Sequence, residues 1–223
     1  MLQQTQVERV LQYYPRFLAR FPDFEALART PLVKILKAWQ GLGYNRRALA
    51  LKKIAAAVHE KYGGRLPRQP HLLTELPGIG NATAGAIAAF AFNNPSPFLE
   101  TNIRRVFLHF FFARRRKVRD EEVMPFVGKT LDKKNPREWY YALMDYGAML
   151  ATQGVNPNRK SAGYRRQPLF KGSRRELRGK ILTLFLREGA LKVGDAVERL
   201  AVPPERIREV MSSLRREGFL TGA

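Results

Sequence analysis

The chain has 223 residues and a formal net charge of +21, with 40 Lys and Arg against 19 Asp and Glu. A hydrophobic fraction of 45% excludes a disordered basic tail and allows a sizeable core, while the cationic excess points to a polyanionic partner, nucleic acid or an anionic membrane. The absence of cysteine excludes disulfides, thiolate metal sites and cysteine-ligated clusters, and His59, His71 and His109 lack metal-ligand spacing.

In chain order the pattern is helical nearly throughout. Apolar residues at helical spacing predict a helix over 7–21, a short turn of helix over 24–28, and a helix over 32–41 ended by glycine. A long amphipathic helix is expected over 46–62, closed by Gly63-Gly64, and a short one over 69–75. Residues 81–92 are almost wholly small or apolar, which predicts the buried central helix of its domain. Helices over 102–112, 121–131 and 136–151 follow. Residues 154–172 read as a polar, basic loop. Helices over 174–186, 193–200 and 204–217 then resemble a winged-helix unit that has lost most of its wing. The ends Lys192-Val193 and Phe219-Leu220 are candidates to pair as a minimal sheet. No apolar run approaches the ~20 residues that span a bilayer. The N-terminus is polar from Gln3 onward, without the pattern of a signal peptide. A soluble, intracellular protein, free of metal, is the expectation.

The most informative stretch is Leu76-Pro77-Gly78-Ile79-Gly80, followed by Asn81-Ala82-Thr83-Ala84-Gly85. It reads as a tight turn opening into a small-residue helix. Gly78 and Gly80 are expected to take angles closed to other residues and to leave room for close approach. The amides that follow, at Asn81 and Ala82, then point outward at the positive end of a helix dipole, a site for a phosphate.

Four motifs in order, Met1-Leu2-Gln3-Gln4-Thr5-Gln6-Val7, Trp39-Gln40-Gly41-Leu42-Gly43-Tyr44, the glycine hairpin and Met144-Asp145-Tyr146-Gly147-Ala148-Met149, resemble the MutY adenine glycosylases. These belong to the helix-hairpin-helix glycosylase superfamily, with endonuclease III. The resemblance covers about residues 1–155. It implies an all-α fold of two lobes with DNA between them and the target base flipped into a pocket. With the tail, the expected division is a first lobe over 1–112, a second over 113–172 and a winged-helix-like helical extension over 173–223.

The family's catalytic aspartate lies in an Asp-x-Asn pattern, read here as Glu100-Thr101-Asn102. Breaking an N-glycosidic bond builds positive charge on the sugar, and a carboxylate near C1′ stabilises it. Glu100 has the right charge on a longer arm; the bland alternative is a helix N-terminal acid. Gln4 and Tyr44 match residues that wedge into the duplex and contact the opposite base, with Leu2 and Thr5 as neighbours of that wedge. Arg46 and Arg47 are either phosphate contacts or the solvated start of a helix. Asp145 is expected to be a buried hydrogen-bond acceptor, and Trp39 a core residue.

Three departures qualify the resemblance. The family's general-acid glutamate lies two residues before the motif methionine, outside the sequence given. Either an upstream extension carries it, or it is lost. Ala82 stands where endonuclease III-type members carry the lyase lysine, so a monofunctional glycosylase is expected. Ala151 stands at the first cysteine of the family's iron–sulfur cluster, and residues 156–171 contain none of the others. No cofactor is therefore expected, and the basic loop either takes over the cluster loop's DNA contacts or is a solvated linker. Arg174, Arg175 and Arg178 are candidates for further DNA contacts, or the tail simply caps the second lobe. The resemblance thus implies a monomeric glycosylase acting on double-stranded DNA, releasing adenine opposite G or 8-oxoguanine. The alternatives are removal of T or U opposite G, or a catalytically weak binder of damaged or mismatched DNA.

Overall fold

A computed structural model describes residues 1–220. The described residues form twelve α-helices, α1 (Val7–Arg20), α2 (Phe24–Arg29), α3 (Leu32–Trp39), α4 (Arg46–Tyr62), α5 (Pro70–Thr74), α6 (Asn81–Phe92), α7 (Thr101–Phe110), α8 (Asp120–Thr130), α9 (Pro136–Thr152), α10 (Arg174–Glu188), α11 (Val193–Leu200) and α12 (Pro204–Arg216). A 3₁₀ turn, Pro157–Lys160, lies inside the stretch read as loop. The fold is all-α, as the periodicity requires. None of these helices is long and apolar enough to cross a membrane.

The chain divides into two compact units, drawn differently from the three consecutive segments expected. One is Met1–Arg65 together with Gln167–Ala223; the other is Leu66–Arg166. In the first, Phe17, Ile35, Leu36 and Trp39 share one apolar cluster with Ile181, Phe185, Ile207, Leu214 and Phe219. Phe17 meets Phe21 and Trp39 edge-on. The C-terminal helices therefore complete the core of the N-terminal ones, rather than standing as a separate extension.

The join also has a polar part. Glu217 follows α12 and accepts from Arg178 Nη1 (2.9 Å) and Nη2 (2.8 Å), from Arg46 Nε (2.7 Å) and from Ser213 Oγ (2.9 Å). One carboxylate thus ties α12 to the start of α4 and to α10. Arg174 pairs with Glu209, and Arg175 donates to Pro168 O, so the tail's first arginines have partners inside their own unit. No sheet forms at its ends. The Lys192 amide donates to Asp195 Oδ2 at the start of α11, and the Phe219 amide donates to Leu214 O at the close of α12.

In the second unit, α7, α8 and α9 bury Ile103, Phe107, Val123, Val127, Tyr140 and Leu143 in one cluster. Helix α6 is buried only along Ala84, Gly85, Ala88 and Ala89, two pairs spaced by four, so it is not the fully buried helix expected.

The Glu217 carboxyl is held down to about 2 from an ordinary 4.5, first by its hydrogen bond from Arg46, with burial opposing and Arg178 and Ser213 adding to the effect. A depressed folded-state value stabilises the fold fully above the unfolded value, and that stability is lost as pH falls toward the folded one. Urea unfolding should therefore show stability falling between pH 4.5 and pH 2. Glu217→Gln should remove about 1–3 kcal/mol at neutral pH and flatten that part of the acid profile.

Candidate functional site

In the second unit the hairpin is anchored by Leu73, Leu76 and Ile79, all buried, and closed by the Ile79 amide donating to Leu76 O at 3.1 Å. Gly78 sits at φ +80°, where a side chain is strained. Gly80 does not: its φ of −93° and ψ of 174° suit any residue. Its value lies in what it lacks. A Cβ there would meet no protein atom, and Gly80 supplies no side-chain cap to α6. The first-turn amides at Asn81 and Ala82 have no acceptor within the helix, and both residues are exposed. A helix N-terminus presented in this way is suited to an anion.

Two close approaches place Glu100. A Cβ on Gly85 would lie 2.6 Å from Phe98 Cβ, so α6 presses directly on the strand-like segment leading to Glu100. A Cβ on Gly147 would lie 2.4 Å from Asn102 O, so α9 presses on the first turn of α7. The fully buried Tyr140 packs on Phe98 with ring centres 4.2 Å apart and the rings tilted by 37°. Its hydroxyl accepts from the Phe98 amide (3.3 Å) and donates to Ser96 O (3.1 Å).

Glu100 caps α7. Its Oε1 accepts from the amides of Asn102 (2.6 Å) and Ile103 (2.8 Å). Oε2 has no donor among the described residues. The helix-cap reading and a chemical role are thus compatible, because one oxygen fixes the side chain and leaves the other open. Asn102 Oδ1 accepts from Arg105 Nη1 at 2.8 Å, and the same Nη1 donates to Gly147 O. Burial pulls the Arg105 guanidinium below its ordinary value, and the charge of Glu100 opposes that shift. Arg105 and Tyr140 were not singled out from the sequence. Arg105 was findable, three residues after Asn102 on one helical face; Tyr140 sits in an apolar helix with no distinguishing signal. Asp145 corrects an expectation: it is exposed, not a buried acceptor.

In the first unit, Thr5 and Tyr44 meet Arg47, whose bonds to the Met1 and Gln3 carbonyls also hold the segment carrying Leu2 and Gln4. Gln4 (φ +56°) and Tyr44 (φ +47°) both hold left-handed angles, at a cost of about 1–2 kcal/mol each. The Arg47 fork donates to the carbonyls of Met1 (2.6 Å), Leu42 (3.0 Å) and Gly43 (3.2 Å), to Gln3 O, and to Thr5 Oγ1 (2.9 Å). Its Cζ lies 5.5 Å from the ring centres of both Trp39 and Tyr44. Arg47 is therefore a clamp that holds the two strained turns, not a free phosphate contact. Arg46 is engaged by Glu217. Trp39 is core, as expected, and donates to Gly43 O at 3.1 Å. Leu2, Gln4 and Tyr44 are exposed, and the Tyr44 hydroxyl is held by Gln167 Nε2 (2.6 Å) and Arg175 Nη1 (3.3 Å).

The residues present do not fit a four-thiolate cluster. Ala151 is exposed and the segment after it has no cysteine. Hydrogen bonds hold that segment instead. Asn158 Nδ2 donates to Thr101 O (3.1 Å), the Val118 amide to Lys160 O (2.8 Å), the Ala162 amide to Val118 O (2.8 Å), and Lys160 Nζ to Ala113 O (2.7 Å). Among the described residues no group of three or more His, Cys, Asp or Glu side chains is placed to hold a metal ion.

Residues 1–128 match the model of the HhH-GPD superfamily of base excision DNA repair proteins. An adenine DNA glycosylase of Buchnera aphidicola subsp. Baizongia pistaciae (strain Bp) is 37% identical over 70% of this chain and 45% of its own length. That of Mycolicibacterium smegmatis is 33% identical over 96% of this chain and 79% of its own. A solved thermostable thymine-DNA glycosylase aligns with a TM-score of 0.61 and 27% identity, over 67% of this chain and 70% of that one. A trapped endonuclease III–DNA covalent intermediate shares the fold at a TM-score of 0.55. The chain belongs to the HhH-GPD superfamily of base excision DNA repair proteins. It spans 45% of the Buchnera relative and 30% of that from Rattus norvegicus.

Burial raises the Tyr140 hydroxyl to about 12 from an ordinary 10.0, with its bond from Phe98 opposing. A raised folded-state value gives stability that is intact below the unfolded value and lost as pH rises through the folded one. Thermal unfolding should therefore weaken between pH 10 and pH 12. In Tyr140→Phe that component should vanish, with about 1–3 kcal/mol lost at neutral pH through the two unsatisfied backbone groups.

Proposed function

We propose that the protein is a monofunctional DNA glycosylase that releases adenine mispaired with guanine or 8-oxoguanine from double-stranded DNA, acting as a monomer. The observation that carries this reading is Glu100, fixed through Oε1 at the head of α7 with Oε2 open. It is supported by the hairpin and by relatives named as adenine DNA glycosylases.

In this reading the hairpin amides at Asn81 and Ala82 hold a backbone phosphate, and Gly78 and Gly80 keep its approach clear. Gln4 and Tyr44, pinned by Arg47, enter the space left by the flipped base and help offset the cost of unstacking. Glu100 Oε2 faces the sugar cation that forms as the C1′–N bond breaks. Water supplies the oxygen that ends on C1′ and the proton that ends on the base. Asn102, fixed by Arg105, orders the turn carrying the carboxylate. Ala82 offers no amine for a Schiff base, so the product keeps an intact backbone. The protein acts at the nucleoid in the cytoplasm, without a cofactor.

Single-turnover base release should be measured on A·8-oxoguanine, A·G, T·G and U·G duplexes, with and without alkali. Adenine release, with strand breaks only after alkali, is the expected result; release of T or U, or none from any duplex, overturns the reading. Glu100→Gln should lower release at least about 10²-fold while leaving duplex binding intact.

Gly80→Ala separates phosphate approach from folding. The added methyl meets no protein atom, so thermal stability should stay within about 0.5 kcal/mol. Duplex affinity in a gel-shift titration should nevertheless fall, and unchanged affinity would remove the hairpin from the interface.

A further inference from the structure

The second unit contains a cavity of about 650 Å³, in the range that takes one small molecule. Its walls are the first turn of α7 (Thr101, Arg104, Arg105), the start of α8 (Arg119, Asp120, Glu121) and part of residues 156–165. Four arginines face two carboxylates here. Arg104 is closed off by a two-pronged pair with Asp120, Nε to Oδ1 at 2.8 Å and Nη2 to Oδ2 at 2.6 Å. Arg119 has only a 3.9 Å approach to Glu122, and Arg165 has no partner among the described residues.

Two buried atoms in this wall are unsatisfied. Arg105 Nε has a hydrogen to donate and no acceptor, and Asn158 Oδ1 has no donor. Asn158 is 6% exposed, and its amide cannot be turned round. Nδ2 donates to Thr101 O, which only accepts, so reversal would set oxygen against oxygen. Buried polar atoms left unpaired are costly and mark a place where a partner belongs. The cavity therefore lacks an anionic acceptor on its arginine side and a hydrogen-bond donor at Asn158. Inorganic phosphate carries both an anionic oxygen and a hydroxyl but is far smaller than this cavity.

We propose that this cavity binds one nucleotide, with its phosphate between Arg119, Arg165 and the unpaired Arg105 Nε, and a base amine or sugar hydroxyl donating to Asn158 Oδ1. The source is either a free mononucleotide or one unit of a DNA strand. The site is distinct from the hairpin and does not rest on the glycosylase reading, since it is tested by binding alone.

Calorimetric titration of the full chain with deoxyadenosine monophosphate, deoxyadenosine and inorganic phosphate tests it. The nucleotide should bind at least about tenfold more tightly than either fragment. Arg119→Ala and Arg165→Ala should each weaken nucleotide binding by about tenfold with thermal unfolding unchanged. Asn158→Ala, checked for folding by its melting curve, should bring the nucleotide down to the affinity of phosphate. Phosphate binding as tightly as the nucleotide, nucleotide binding indifferent to both arginine changes, or no binding at millimolar concentration would each overturn the proposal. A duplex arm separates the sources. Nucleotide retained on duplex-saturated protein supports a free ligand, and nucleotide displaced by duplex, with Arg165→Ala weakening both, supports a strand unit. Base release enters none of these readouts, so failure here leaves the glycosylase reading standing, and the reverse holds too.

Discussion

Gly85 and Gly147 leave no space between their helices and the segment from Ser96 to Asn102. A single methyl at either position would strike Phe98 or the Asn102 backbone. This double contact fixes the entry of the chain into α7, and Tyr140 fills the remaining gap with a ring and two hydrogen bonds. Glu100 inherits its position from that wedge. Its carboxylate needs no long side-chain network, because the backbone carrying it has nowhere else to go. Close packing of this kind transmits small errors, and a misplacement of about 1 Å is enough to slow an oriented reaction about 10²-fold.

The other cluster of family-matched residues is organised by the opposite device. Around Arg47 the backbone is strained, and five hydrogen bonds from one guanidinium hold it. Burial pulls that guanidinium below its ordinary value, so the clamp is costly to make and is offset by the number of carbonyls it satisfies. Tyr44 is then presented at its ring by Arg47 and at its hydroxyl by Gln167 and Arg175. Strain held in this way is a means of keeping an exposed side chain ready.

Much of this was legible in the sequence. Helices α4, α6 and α11 begin and end where apolar spacing, glycine and the turn residues place them, since those signals are local. The place of Glu100 at the head of its helix was legible too, as the N-terminal acid of the alternative reading. What was not legible depends on contacts across the chain. Nothing near Arg47 says that its fork will be used on the carbonyls of Met1, Gln3, Leu42 and Gly43. Nothing near residue 174 says that the tail will complete a core begun at residue 10. Asp145, expected to be a buried acceptor, projects instead from the exposed side of α9.

The first unit is assembled from two separate segments, with the whole of Leu66–Arg166 between them in sequence. As the ribosome releases the protein, the second unit has all its parts once residue 166 has emerged. The helices made first still lack half of their apolar cover. Phe17, Ile35 and Trp39 must wait for Ile181, Phe185 and Leu214, which are made after the second unit. Bringing such distant segments together carries a loop-closure cost, and the late-arriving contacts slow folding. During that interval the exposed apolar face of α1 and α3 is a surface for chaperones or for misassociation. The order of synthesis therefore lets the inserted unit complete its core before the first unit can.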